Sequence, residues 1–197
     1  MRAAVQWPVD NVAVAVVNAG GDVLDSAGPQ DREFPLASVT KLLTAYVTLI
    51  AVEEGAIGWD HPAGPEGSTV RHLAAHASGL AFDEHRPMAP PGTRRLYSNA
   101  GFEVLAETIE RESRIPFIEY LTEGVLHPLG MWSTRLDGSP ASKGVSTCAD
   151  LVQLAAELQS PRLVSAETLA EATRVAFPGL NGVLPGYGHQ KPNDWQR

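Results

Sequence analysis

Ser38-Val39-Thr40-Lys41, followed by the apolar run Leu42-Leu43-Thr44-Ala45-Tyr46-Val47-Thr48-Leu49-Ile50-Ala51-Val52, is the stretch on which a reading of this 197-residue chain turns. Residues three apart at a helix start lie on one face, with roughly 5–6 Å between their Cβ atoms. A hydroxyl and an amine so placed form the pair an acyl-transfer site needs if the lysine is to take the proton of a serine nucleophile. The run that follows is apolar nearly all round. It predicts a buried helix to about Glu54, with Ser38 and Lys41 at its accessible end. By itself Ser-x-x-Lys is a common string, so its weight depends on its surroundings.

Composition narrows the field. With 44% hydrophobic residues there is material for one globular domain over 1–197 with a substantial core. A net charge of −8 argues against a nucleic-acid partner, whose phosphates call for a basic face. No run of 18 apolar residues offers a membrane span. The start, Met1-Arg2-Ala3-Ala4-Val5-Gln6-Trp7-Pro8-Val9-Asp10, is interrupted by Gln, Pro and Asp before a secretory hydrophobic region forms, which reads as a cytoplasmic protein. A single cysteine, Cys148, excludes an internal disulfide and reads as a small helix-face residue. Oligomeric state is not legible.

Outward from the opening stretch, Val12–Val17 and Asp22–Gly28 read as two strands joined by a tight turn at Asn18-Ala19-Gly20-Gly21. The first is apolar throughout, which predicts a place inside a sheet covered on both faces. Phe34–Ala37 reads as an extended approach to Ser38, and Ala37–Val39 as the turn into the helix that Gly55 closes. Thr69–His76 predicts a short helix capped by Ser68 or Thr69. Phe102, Leu105, Ala106 and Ile109 recur at helical spacing over Gly101–Glu112. Further helices are expected over Pro116–His127, with Pro at the first turn, from Ser146 or Thr147 to Leu158, and from Ser165 to about Arg174. Pro178–Arg197 shows no convincing long element. Two strands beside at least five helices make a poor sheet, because so apolar a hairpin calls for more strands beside it.

Once Tyr97-Ser98-Asn99 is set beside Ser38-x-x-Lys41, the chain resembles the serine β-lactamase and penicillin-binding superfamily. It looks most like the class C-related branch that includes D-alanyl-D-alanine carboxypeptidases and carboxylesterases. Tyr97 stands where the related Ser-Asp-Asn motif has its serine. Supporting strings occur in the family's order: Arg71-His72-Leu73-Ala74-Ala75-His76-Ala77-Ser78-Gly79-Leu80, Pro90-Pro91-Gly92-Thr93, Ala100-Gly101-Phe102 after the middle motif, and Pro128-Leu129-Gly130-Met131. The resemblance covers roughly Val12 to Leu158. It implies an α/β (α+β) fold of the β-lactamase/transpeptidase type, a helical lobe plus an antiparallel sheet. The family's third motif, Lys-Thr-Gly or His-x-Gly, is not found. Ser142-Lys143-Gly144 precedes a helix and is misplaced for it, and His189-Gln190-Lys191 lacks the glycine. The expectation is a chain incomplete at its C-terminus, with the later strands of the sheet missing.

By this resemblance Ser38 Oγ attacks a carbonyl to form an acyl-enzyme, and Lys41 is the base. Tyr97 relays the proton to the leaving group, while Asn99 binds the substrate's amide or holds Lys41. The partner implied is a small ester or amide, with no cofactor. One oxyanion donor is the N–H of Ser38, and the family's second comes from the strand not found. His72 and His76, at i and i+4, invite a metal reading, but a zinc protease places Glu where Leu73 stands. They read instead as a structural turn, with His76 bonded to backbone. Arg94-Arg95 reads as a solvated loop, and Trp59, Trp132 and Trp195 as packing. Two other readings stay open. One is a non-catalytic remnant of such a hydrolase; the other is an unrelated fold in which the motifs are accidental and Lys41 is not buried.

Overall fold

Helix α1, Thr40–Glu53, is the axis of the fold in the computed structural model, which describes residues 7–183 and 191–192. Val47, Thr48, Ile50 and Val52 are β-branched and weak helix formers, so α1 owes its stability to burial rather than to propensity. Leu43, Tyr46, Val47, Leu49, Ile50 and Ala51 are all buried in the core. At its start Thr40 Oγ1 donates to the carbonyl of Ala37 at 2.6 Å. At its end the Glu54 N–H reaches the carbonyl of Ile50, and Gly55 turns the chain away at φ +74°.

Around α1 pack α3 (Asn99–Ser113), α4 (Phe117–Leu121) and α7 (Ala166–Ala172). The short α2, Val70–Ala74, lies against α3. Leu73, Phe102, Leu105, Ile109 and Leu121 close the core from this side. The segment expected as one helix from Pro116 is α4, a π-helical stretch over Thr122–Leu126 and α5 (His127–Leu129), stopped by Gly130 at φ +71°. Pro116 takes the N-cap with extended ψ, one position earlier than expected. The helix α6, Cys148–Glu157, is capped by Thr147, whose side chain accepts from the Asp150 N–H.

Three small sheets accompany the helices. Strands β1 (Val14–Val17) and β2 (Val23–Ala27) form an antiparallel hairpin with a bulge after Val16. Its turn is held by Asn18, whose side-chain oxygen accepts from the N–H groups of Gly20 and Asp22. A second sheet has the order β3 (Glu33–Pro35), β6 (Gly144–Thr147), β5 (Arg135–Leu136), all antiparallel. In the third, β7 (Asn181–Val183) runs parallel to β4 (Arg95–Leu96) and antiparallel to β8 (Lys191–Pro192). The mixed architecture of helices with mainly antiparallel sheet is the expected class.

Several expectations change in the structure. The hairpin is not covered on both faces: α6 packs on β1, while Val16, Val23 and Leu24 are 44%, 52% and 65% exposed. No third strand pairs with β1 or β2 among the described residues. More strands exist than the sequence suggests, because pieces of two to four residues are too short to show a period. The extended approach to Ser38 ends at Pro35: Leu36 is already helical and Ala37 has φ +46°. Trp132 is not packing material, being 73% exposed beside His127. No helix among the described residues is long and apolar enough to cross a membrane. Expectations that fall on Met1–Gln6, His189, Gln190 and Trp195 lie outside the described residues.

Candidate active site

The approach to Ser38 is built by β3 and β6. Leu36 N–H donates to the Gly144 carbonyl at 2.8 Å, and Gly144 N–H donates to Thr40 Oγ1 at 2.9 Å. A Cβ at position 144 would meet Thr40 Oγ1 at 2.8 Å and Leu36 Cδ1 at 3.1 Å, so only glycine lets the strand come this close. Ser142-Lys143-Gly144, which resembled a displaced third motif, therefore serves as the back wall of the nucleophile turn. Ala37, at φ +46°, is a non-glycine residue in the left-handed region, held there by these contacts. It delivers Ser38 on a 3₁₀ turn, Ala37–Val39, with the side chain exposed. Outside the helices and strands, no backbone carbonyl among the described residues takes the N–H of Ser38.

Lys41 sits one turn further in and is 6% exposed. Its Nζ lies 3.4 Å from Ser38 Oγ, 2.5 Å from Asn99 Oδ1 and 2.9 Å from the carbonyl oxygen of Ala141. The rings of Tyr97 and Phe102 stand beside it, with centroids 4.6 and 5.6 Å from Nζ. Lys41 is thus buried, as the accidental-motif reading would not have it.

Ser98 anchors the middle motif. Its hydroxyl accepts from the Gly101 N–H at 2.9 Å, capping α3, and donates to the Ala81 carbonyl at 2.6 Å. Because Ser98 does the capping, the side chain of Asn99 is released toward the site. Asn99 Oδ1 faces Lys41, and Nδ2 donates to Asp83 Oδ1 at 2.7 Å. The Tyr97 ring is tilted against His76, with centroids 4.4 Å apart, and stacked with Phe82 at 6.1 Å. Ser38, Lys41 and Asn99 come together by side-chain polar atoms, whereas Tyr97 joins them by its ring face.

His76 supports this wall. It follows α2 at φ +54°, is 6% exposed, and its Nδ1 accepts from the Ser98 N–H at 3.1 Å. That bond to backbone is the one expected, and it leaves the proton on Nε2. Burial, with Lys41 and Arg95 adding repulsion, pushes His76 down to about 3, so the ring is neutral at ordinary pH. His72 is engaged elsewhere, with Thr69 Oγ1 at 2.9 Å and stacked on Phe177. The helix ends between the two histidines, so they do not share one face.

Arg95 overturns the expectation of a solvated loop. It is fully buried, donating to the carbonyls of Ala75 at 2.6 Å and Phe177 at 2.8 Å. Beyond Tyr97 opens a mainly apolar cavity of about 570 Å³, walled by Leu80, Phe82, Met88, Leu96 and Tyr97, with Asp83 and Arg94 also on its lining. Its size and lining suit part of a small organic substrate. Two groups that contact the candidate site escaped the sequence reading. The Ala141 carbonyl is a backbone atom and leaves no residue signal, and Asp83 lies in an exposed loop with no motif to mark it.

Comparison with known proteins gives the arrangement its relatives. The family model described as Beta-lactamase matches residues 6–190. The D-alanyl-D-alanine-carboxypeptidase/endopeptidase AmpH of Escherichia coli is 27% identical over 163 residues, covering 60% of this chain and 42% of its own. A β-lactamase of Lysobacter lactamgenus is 27% identical over 173 residues, covering 69% and 45%. The chain therefore spans less than half the length of these two. The crystal structure of a β-lactamase from Mycobacterium bovis superposes with a TM-score of 0.92 at 56% identity, covering 96% of this chain and 70% of that one.

Proposed function

The chain belongs to the β-lactamase family, and from that premise we propose that it is a serine hydrolase acting on small esters or amides through Ser38. The observation that carries the proposal is the set of neighbours around Lys41 Nζ: two carbonyl oxygens, of Asn99 and Ala141, and one hydroxyl, of Ser38. A neutral amine has two N–H donors and one lone pair. As a neutral amine Lys41 would give its two N–H donors to these carbonyls and turn its lone pair to the Ser38 hydroxyl. Lys41 takes that proton as Ser38 Oγ bonds to the substrate carbonyl carbon. Collapse of the tetrahedral adduct expels the alcohol or amine, which receives the proton from Lys41, and leaves an ester on Ser38. Water, deprotonated by the same amine, then hydrolyses the ester. The N–H of Ser38 is one oxyanion donor.

The position of Tyr97 favours esters over amides. An amide leaving group must be protonated as it departs, and with the Tyr97 hydroxyl not bonded into the Ser38–Lys41 pair that proton comes from Lys41 alone. An alcohol leaves with less help. The same feature, with a single oxyanion donor among the described residues, favours a second reading in which the chain is a remnant without turnover. Losing one such donor typically costs about 10²–10³ in rate.

Intact mass after incubation with a fluorophosphonate, and separately with a penicillin, decides between the two. The proposal expects one fluorophosphonate adduct that disappears in Ser38→Ala. A penicillin adduct would add β-lactams to the acyl donors accepted. No adduct from a chain with a folded circular-dichroism spectrum would establish the remnant, and equal labelling of the mutant would remove Ser38 as nucleophile.

A further inference from the structure

The geometry points to Asp83 as a positioning residue that keeps Asn99 in the one orientation compatible with a basic Lys41; the inference rests on the reading of Ser38 and Lys41 as nucleophile and base. Asn99 has two nearly isosteric ends, an acceptor oxygen and a donor NH₂ group. With Oδ1 toward Lys41, the asparagine accepts one of the amine's N–H groups at 2.5 Å and leaves the lone pair for Ser38. In the opposite orientation Nδ2 would donate into that lone pair and occupy it, or repel the ammonium form. A neutral amine can hydrogen-bond to either end of the amide, but only the first arrangement leaves its lone pair for Ser38, so something else must choose.

Asp83 does. An ionised carboxylate only accepts, and Asp83 Oδ1 takes Asn99 Nδ2 at 2.7 Å. The loop bearing it is tied to the start of α3 independently of this bond. Phe82 O accepts the N–H groups of Asn99 at 2.7 Å and Ala100 at 3.1 Å, and Ala81 O accepts the Ser98 hydroxyl. Of the neighbouring carboxylates, Glu84 pairs with Arg86, and Glu103 accepts from Ser139 and faces His85, while Arg94 shares the cavity lining with Asp83. Asp83, then, reaches Ser38 only through Asn99 and Lys41, and it touches neither the nucleophile nor its base.

Asp83→Asn is the discriminating variant. It keeps the shape of the loop but offers both a donor and an acceptor, so it no longer dictates which way Asn99 turns. Fluorophosphonate labelling of Ser38 should slow about three- to tenfold, the range for the net worth of one ordinary hydrogen bond, since Asp83 is exposed. In an Asn99→Ala background the same substitution should change labelling by less than about twofold, because the residue it acts through is gone. Equal slowing in both backgrounds, or none in the parent, would overturn the inference. A second readout does not need turnover. The Asn99 side-chain NH₂ resonances, assigned by their loss in Asn99→Ala, should move as carboxylates titrate and stop moving in Asp83→Asn. A parent that fails to label would sink the hydrolase reading, while this NMR titration still upholds or refutes the Asp83–Asn99 link.

Discussion

Gly144→Ala tests whether the nucleophile turn is held by close backbone approach. The added Cβ would stand 2.8 Å from Thr40 Oγ1, 3.1 Å from Leu36 Cδ1 and 3.2 Å from Thr40 Cγ2. Ordinary contact begins near 3.4 Å, so roughly 0.6 Å of relief must be found against the oxygen. Thr40 cannot supply it cheaply, being 1% exposed, donating to Ala37 O and accepting from the Gly144 N–H. Overpacking of this kind costs about 1–3 kcal/mol. The backbone at 144 is not in the left-handed region, so the loss of glycine's unfolded-state freedom returns about 0.4–1 kcal/mol. The net expectation is a destabilisation of about 1–2 kcal/mol, which for a chain of this size lowers the melting temperature by roughly 2–8 °C. Because the displaced group starts α1, labelling of Ser38 should also slow. Urea and thermal melts, with labelling rates alongside, measure both. Thr40→Ala should restore room, so the double mutant should lose less than the sum of the singles. A Gly144→Ala protein with unchanged midpoint and unchanged labelling would refute the steric account.

Two further predictions concern buried titratable groups. His76 has a lowered folded pKa, near 3, so the stability of its neutral form is complete above about 6.5 and is lost as pH falls from there toward 3. His76→Asn keeps an acceptor for the Ser98 N–H and tolerates positive φ, so its urea midpoint should fall less steeply between pH 6.5 and 4; an unchanged slope would exonerate His76. Glu157 is fully buried and accepts from Tyr46 OH at 2.6 Å and from the N–H groups of Arg162 and Leu163. Burial pushes its carboxyl up, but the hydrogen bonds from Tyr46, Leu163 and Arg162 outweigh this and hold it below 4.5. Its contribution is therefore present above that value and fades as pH falls through the lower folded one. Glu157→Gln should cost about 1–3 kcal/mol near pH 7 and less in acid, read from the same melts.

Some of this protein could be read from its residues alone. The helix behind Ser38, a cap at Ser146 or Thr147, the start at Ser165, the glycine stop at 55, and the pairing of Ser38 with Lys41 all follow from local spacing. Local spacing suffices there because a helix brings i and i+3 together whatever surrounds it. The bond from His76 to backbone was also legible, since the alternative metal motif lacked its glutamate.

What only the tertiary structure decided are relations between distant segments. That Ala141 O and Asn99 Oδ1 complete the shell around Lys41 depends on residues 58 and 100 positions away. Arg95 is buried because the carbonyls of Ala75 and Phe177 converge on it, and nothing in its own neighbourhood of the sequence distinguishes it from Arg94. The apolar hairpin β1–β2 shows the same limit. Its residues declare that they can be buried on two faces, but how many faces are covered depends on which other elements pack there, and here α6 covers one. Local sequence sets what each segment can do. Long-range packing determines which polar atoms meet, and so whether Tyr97 presents its ring or its hydroxyl to the base.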